Sequence, residues 1–386
     1  MNPVYDHIIA IIVVGAIFVW AVALMPNVNL VNLTSVEQQQ DRNIALNVFN
    51  NMLLDTGYPN DWGSCTTYFD SSVVKRFGLA SASESNLYKL DPDKVQRLNK
   101  NNPLGYLKYD EARTLLNLKD YEFCLRIIPP FNVTNENGTK IDDKHTPLIF
   151  ADPPTNSVLR YTIKVTYLDG SPIPNALVEG YVFCSKNKDF DLRPVQNTTT
   201  NALGICSEQM TLTLQNPDYV VVVLKITVAD VATILLTMGK DASVYVADIN
   251  MVGDTIILTK AKDPSNEDVK INEVYVYTSN GTLFSLYNGT NQDHFNTGSG
   301  QHMLWSRTFN GLKYRDPVAL IFDVEAVTDK RREVVIAGPY RDILSYDIFD
   351  YGGNIGNAKS AVKIQRNVAI AGLIYVAELW LWKGYS

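Results

Sequence analysis

The feature that most constrains this chain is an uncharged apolar run at residues 8–25, IIAIIVVGAIFVWAVALM, set ahead of a long polar remainder. As a helix it would span roughly 27 Å, just enough for a hydrocarbon core. Trp20 suits the membrane interface, and Pro26 with Asn27 and Asn29 stops the run. Three readings compete. A cleaved secretory signal would use Ala21-Val22-Ala23, which has the form of an A-x-A cleavage site, but MNPVYDH at the start contains no Lys or Arg. The second reading is a single membrane anchor. The third is an assembly helix, held in lipid first and in a filament core afterwards. The run is expected to be retained, with Ile8, Ile12, Gly15, Phe18, Val22 and Met25 as its membrane or assembly stripe. The first basic residue is Arg42, so charge bias cannot orient the segment.

Orientation rests instead on features that all follow the run. Cys65, Cys124, Cys184 and Cys206 form a sparse, even set with no C-x-x-C, as expected of disulfides rather than of zinc or redox motifs. N-x-[ST] sequons occur at Asn32, Asn132, Asn137, Asn197, Asn280 and Asn288. Asn32 lies too near the apolar run for a glycosyltransferase, which leaves the other five as glycosylation candidates. The balance of 34 basic and 41 acidic residues, with no basic stripe, excludes a nucleic-acid partner. Hydrophobic content of 46% with only 19% charged residues places the bulk among globular chains. An extracellular, cell-surface location follows, anchored by one helix.

The remainder divides into a small α+β module at 31–150, a β-sandwich at 151–262 and a C-terminal β-domain at 263–386, after the apolar helix at 1–30. Thr34 and Glu37 form a capping box that opens a helix over residues 36–54. Its buried stripe is Ile44, Ala45, Val48, Phe49, Met52 and Leu53. Asp91-Pro92 starts a short helix to about residue 98, a second covers 110–118, and a strand covers 121–128. Asp91, Asp93 and Asp110 read as solvated helix caps, since no calcium loop of the D-x-D-x-D-G type occurs. A Cys65–Cys124 bridge would staple this module, worth roughly 4 kcal/mol by loop entropy.

After a polar loop over 132–154 the pattern turns to period two. Leu159, Tyr161, Ile163, Val165 and Tyr167 alternate with Arg160, Thr162, Lys164 and Thr166, an expected strand with one wet face. Further strands are expected at 176–184, 205–214, 220–228, 233–238, 243–249 and 255–259. Their number and spacing argue for an immunoglobulin-like sandwich. Cys184 and Cys206 would end and begin neighbouring strands, and the pairing 65–124 with 184–206 keeps each bridge inside one module. The last module has strands at 274–278, 283–287, 303–308, 318–327, 333–337, 361–364 and 373–382. The final strand is read as an ordinary core strand, with donation to a neighbouring subunit as the alternative.

Two resemblances follow from these residues. YDHIIAIIVVGAIFV with the amphipathic stretch behind it resembles the N-termini of archaeal pilin-like surface proteins, and Asp6 matches the acidic residue near the mature start of type IV pilins. The basic residues and processing site usual before the run are missing. The resemblance implies β-rich domains presented outside the cell from one apolar helix. TYLDGSPIPNALVEGYVF, TTTNALGICSEQMTLTL and PDYVVVVLKI resemble carboxypeptidase-regulatory-like domains of transthyretin-type topology, through D-G-x-P-I-P-x-A-x-V and T-x-A-x-G. Such domains serve as stalks, spacers or adhesive modules, which implies no active site here.

The sequence carries few marks of chemistry. No H-E-x-x-H, G-x-S-x-G, P-loop or G-x-G-x-x-G occurs. His294 and His302 share a loop but have no cysteine or acidic cluster beside them, so no metal, cofactor or catalytic residue is assigned. The expected function is a structural pilin-like filament subunit whose partner is itself, through the N-terminal helix, with membrane lipid before assembly and other cells or surfaces beyond. A monomeric anchored adhesin or envelope component is the alternative, and an exported hydrolase the third reading.

Overall fold

A computed structural model describes residues 14, 37–82, 88–102, 104–135, 158–215, 217–238, 247–260, 268–288, 294–296, 303–326, 332–337, 349–358 and 360–384. The chain is mainly β. Of the run at 8–25 only Val14 is described, so the assembly stripe and the cap at Thr34 lie outside the described residues. Among the described residues no helix is long and apolar enough to cross a membrane.

Helix α1 covers residues 37–54, and the expected stripe is the one it buries: Ala45, Val48, Phe49, Met52 and Leu53 are nearly inaccessible, with Ile44 packed beside them. Its first turns are exposed, and docking begins at Asp41, which accepts a hydrogen bond from the Tyr121 hydroxyl at 2.7 Å. Helix α2 (Pro92–Gln96) begins with proline after Asp91, whose carboxylate accepts from the Asp93 amide. Helix α3 (Tyr109–Leu115) follows.

These helices lie against a terminal sheet of order β18-β1-β20-β19. Its strands are β1 (Tyr121–Ile128), β18 (Phe349–Gly352), β19 (Val362–Ile370) and β20 (Leu373–Lys383). Alternation sends Phe123, Leu125, Ile127, Tyr375, Ala377, Leu379 and Leu381 into one core with α1. The final strand is a central strand with β1 on one side and β19 on the other, as an ordinary core strand should be.

The first sandwich has an outer sheet of β2 (Asn132–Asn135), β3 (Val158–Thr166) and β7 (Ile205–Thr211). Its inner sheet contains β4 (Leu177–Lys186), β5 (Asp189–Pro194), β6 (Thr198–Thr199), β8 (Tyr219–Val228) and β9 (Val231–Met238). The second sandwich has an outer sheet of β10 (Ala247–Val252), β11 (Thr255–Lys260) and β15 (Met303–Thr308). Its inner sheet contains β12 (Asp268–Thr278), β13 (Leu283–Asn288), β14 (His294–Asn296), β16 (Pro317–Ala326) and β17 (Arg332–Ala337).

Two inner sheets are buried on both faces. In β8, Val220, Val222, Leu224 and Ile226 fill the first sandwich, while Val221 and Val223 face the other way. In β16, Leu320, Phe322 and Val324 fill the second sandwich, while Ala319 and Ile321 face out. The outward residues of both sheets join the core that also holds the terminal sheet. A strand with two dry faces needs an unbroken β-branched run, and VVVVL at 220–224 supplies it. The order of layers is therefore outer, inner, inner, outer, with the helices and terminal sheet joined to the middle.

Two expected boundaries are corrected. Strands β18 and β20 pair with β1, and β19 pairs with β20, so all three belong to the N-terminal module rather than to the domain drawn at 263–386. Hairpin β10–β11 pairs with β15 and so belongs to the second sandwich, although it was assigned to 151–262. Hydrophobic pattern marks a strand as buried without naming its neighbour, and here the neighbours are distant in sequence.

Candidate functional site

The sequence DPDKVQR at 91–97 reads as an exposed cap and turn, but it builds the most heavily buried polar node among the described residues. Asp93, Lys94, Gln96 and Arg97 are all buried, which corrects the expectation of a solvated cap at Asp93. Ion and dipole burial is tolerated only when each charge is met by partners. Arg97 donates from Nε to the Gly63 carbonyl at 3.1 Å, from Nη1 to the carbonyls of Leu104 and Gly105, and from Nη2 to that of Cys65. Its guanidinium also lies 5.2 Å from the centre of the Phe69 ring. Lys94 donates to the carbonyls of Thr56 and Ala80 at 2.9 and 2.8 Å. These two cations gather the loops that surround α1.

Asp93 points the other way, to the second sandwich. Its carboxylate accepts from the Gly253 amide at 2.9 Å, from Ser64 Oγ at 3.2 Å and from Gln96 Nε2 at 3.1 Å. Gln96 Nε2 also donates to the Met251 carbonyl at 2.9 Å. Gly253 holds the β10–β11 turn at a φ of +57°, which lets its amide face the carboxylate. Burial pushes the Asp93 carboxyl up to about 7, with the neighbouring Asp91 adding to the rise; the hydrogen bonds and Arg97 only moderate it. A cavity of about 150 Å³ adjoins the node, lined in part by Ser64, Asp91, Lys313 and Asp316.

A second node joins the two inner sheets. Arg332 of β17 forms a two-pronged pair with the buried Asp323 of β16, Nε to Oδ1 at 2.7 Å and Nη2 to Oδ2. Its Nη1 donates to the Lys188 carbonyl at 3.0 Å, its amide to that of Asn187 at 2.9 Å, and its carbonyl accepts from Ser185 Oγ at 2.9 Å. Phe190 and Tyr275 stack beside it at 6.0 Å, and Tyr181 meets Tyr277 edge-on at 5.8 Å. One arginine thus ties its own sheet to the β4–β5 hairpin of the other.

The expected site residues are distributed differently. All four cysteines are free, so the pairings 65–124 and 184–206 are not formed. Cys124 faces Gly352 and Trp380 across its ladders, and Cys65 Sγ lies 3.2 Å from Thr67 Oγ1. Cys184 and Cys206 lie not on neighbouring strands but on the opposed sheets of the first sandwich. Burial raises the thiols of Cys124, Cys184 and Cys206, to about 11, 12 and 11. Among the sequons, Asn197 and Asn280 are exposed. Asn132 is half-buried in β2, and its side-chain amide donates to the Tyr167 carbonyl at 3.5 Å. Asn137 lies outside the described residues; Asn288 ends β13. Among the described residues no group of three or more His, Cys, Asp or Glu side chains is placed to hold a metal ion.

Sequence reasoning missed both nodes. The signal open to it was a pair of cations, Lys94 inside a helix of five residues and Arg97 at its C-cap, in an element too short to hold a separate wet face.

No protein-family model matches the chain, and no curated protein matches it. Among solved structures it is similar to trypsin-activated α2-macroglobulin from Escherichia coli, with 10% identity and a TM-score of 0.22 over 62% of this chain and 18% of that one. Salmonella α2-macroglobulin reacted with methylamine gives 9% identity and a TM-score of 0.20, over 64% and 22%. Invasin, a bacterial integrin-binding protein, gives 12% identity and a TM-score of 0.18, over 64% and 54%. The chain spans less than two thirds of each of them. Likeness at this level carries no argument about role.

Proposed function

We propose that this chain is a structural cell-surface subunit, anchored or assembled through residues 8–25, with its immunoglobulin-like sandwiches presented as one stiff body. The observation that carries the reading is the single continuous core shared by α1, the terminal sheet and the outward faces of both inner sheets. Position set at α1 is passed through that shared core to the terminal sheet and to both inner sheets. The resemblance of residues 5–19 to archaeal pilin-like N-termini and the transthyretin-type motifs at 169–178 and 200–204 support the same role.

Filament and simple anchor use the same apolar run, so microscopy of the native surface separates them. Shed surface fibres examined by negative stain and mass spectrometry should contain the chain as a main component. Its recovery only as single particles after detergent extraction, and from no fibre, would remove the filament form and leave an anchored envelope component or adhesin.

A further inference from the structure

Strand β7, ICSEQMT, carries a charge where its neighbours are apolar. Its ladder with β3 places Cys206 opposite Ile163, Glu208 opposite Tyr161 and Met210 opposite Leu159. Ile163, Tyr161, Leu159 and Cys206 all belong to the sandwich core, so Glu208 shares their inward face. The same parity holds in β5, where Asp191 faces Cys184 and Arg193 faces Val182, both of them core residues. Strands β5 and β7 are the edges of their two sheets. Between them the sandwich stays open as a cleft of about 550 Å³, within the size range of small-ligand sites.

The charges in this mouth do not cancel. Asp191 is satisfied by Arg193 Nε at 3.0 Å and by the Thr213 amide and hydroxyl. Among the described residues, Glu208 makes no ion pair, and the cleft is left with one uncompensated negative charge. Beside it the Tyr161 ring is 1% exposed, and its hydroxyl is buried with no hydrogen-bond partner. An inward charge on an edge strand is a known defence against sheet-to-sheet pairing, and that accounts for Glu208 alone. It does not account for Tyr161, because a buried hydroxyl without a partner is a desolvation cost that an apolar ring of the same shape would not carry.

We propose that the cleft binds an alkyl ammonium group, whether a lysine side chain on an extended peptide or a free amine. Glu208 supplies the charge, the Tyr161 oxygen accepts one ammonium N–H, and Met210 with Pro194 borders the alkyl stem. An anion is disfavoured because Arg193, the cation of the cleft, is already held by Asp191. This inference stands independently of filament assembly.

Calorimetric titration of the full chain tests it with two probes, 1,5-diaminopentane and a blocked pentapeptide with a central lysine, each beside the form in which every amine is acetylated. At least one ammonium probe should bind, and acetylation should weaken it by about tenfold or more, as loss of a charge-assisted contact requires. Glu208→Gln should weaken it by a similar factor, and Tyr161→Phe by a few fold while the unfolding midpoint of the free protein rises, as loss of an unpartnered buried hydroxyl requires. Binding of the diamine assigns the site to free amines, and binding of the peptide alone assigns it to lysine in an extended chain. No binding of either probe at millimolar concentration, or binding indifferent to acetylation and to Glu208→Gln, overturns the proposal.

Discussion

At the scale of single residues, burying a charged group ties stability to pH, and Asp93 shows its sign. Folded Asp93 keeps its proton up to about pH 7, whereas an unfolded aspartate releases it near 4. The native state therefore binds more protons across that interval. The corresponding stability is fully present below about pH 4 and is lost as pH rises through 7. Burial raises Asp91 as well, so its contribution has the same sign. Urea midpoints of the wild type should fall between pH 4.5 and 7.5, and Asp93→Asn should flatten most of that slope. An equal slope in both proteins would show that another group is responsible.

At the scale of elements, legibility depended on whether a strand has one wet face. Strand β3 does, and its alternation of Tyr161, Ile163 and Val165 with Arg160, Thr162 and Lys164 marked both its position and its buried side. Strand β8 has none, so VVVV announced a strand but hid the fact that its two faces serve different cores. Helix α1 was readable from its stripe because a 3.6-residue period is local. Cleft residues Asp191, Arg193 and Glu208 were not readable as inward-facing, because parity has meaning only once register is known. Register in turn leaves little slack at Gly180, where β4 crosses β8. An added methyl there would overlap the Val223 carbonyl oxygen on the adjacent strand. Gly180→Ala should therefore lower stability by about 1–3 kcal/mol, the usual cost of overpacking, as read from the denaturant midpoint. A neutral result would mean that the β4–β8 ladder can spread at no cost.

At the scale of the whole molecule, the modules are not independent beads. The terminal sheet draws β1 from one end of the described chain and β18, β19 and β20 from the other. Arg126 and Asp350, paired at 2.8 Å, are 224 residues apart in sequence. Deleting residues 349–386 removes three strands of that four-stranded sheet. Phe123, Leu125 and Ile127 would then lose the strands that cover them. Hydrogen exchange should show residues 121–128 unprotected in the truncated chain, while 220–226 stay protected by the intact β4-β8-β9 ladder. Protection retained at 121–128 would mean that α1 and α3 alone hold β1.

The same closure has a consequence for the making of the protein. A chain synthesised from its N-terminus exposes β1 and the apolar side of α1 long before β20 exists to cover them. Each sandwich can fill its own interior as it emerges, but the shared core must wait for β20. An unfinished copy is thus marked by open apolar surface until β20 has emerged and docked, a natural handle for a holding chaperone. A prematurely terminated copy keeps that mark, which exposes it to proteolysis before it can enter an assembly.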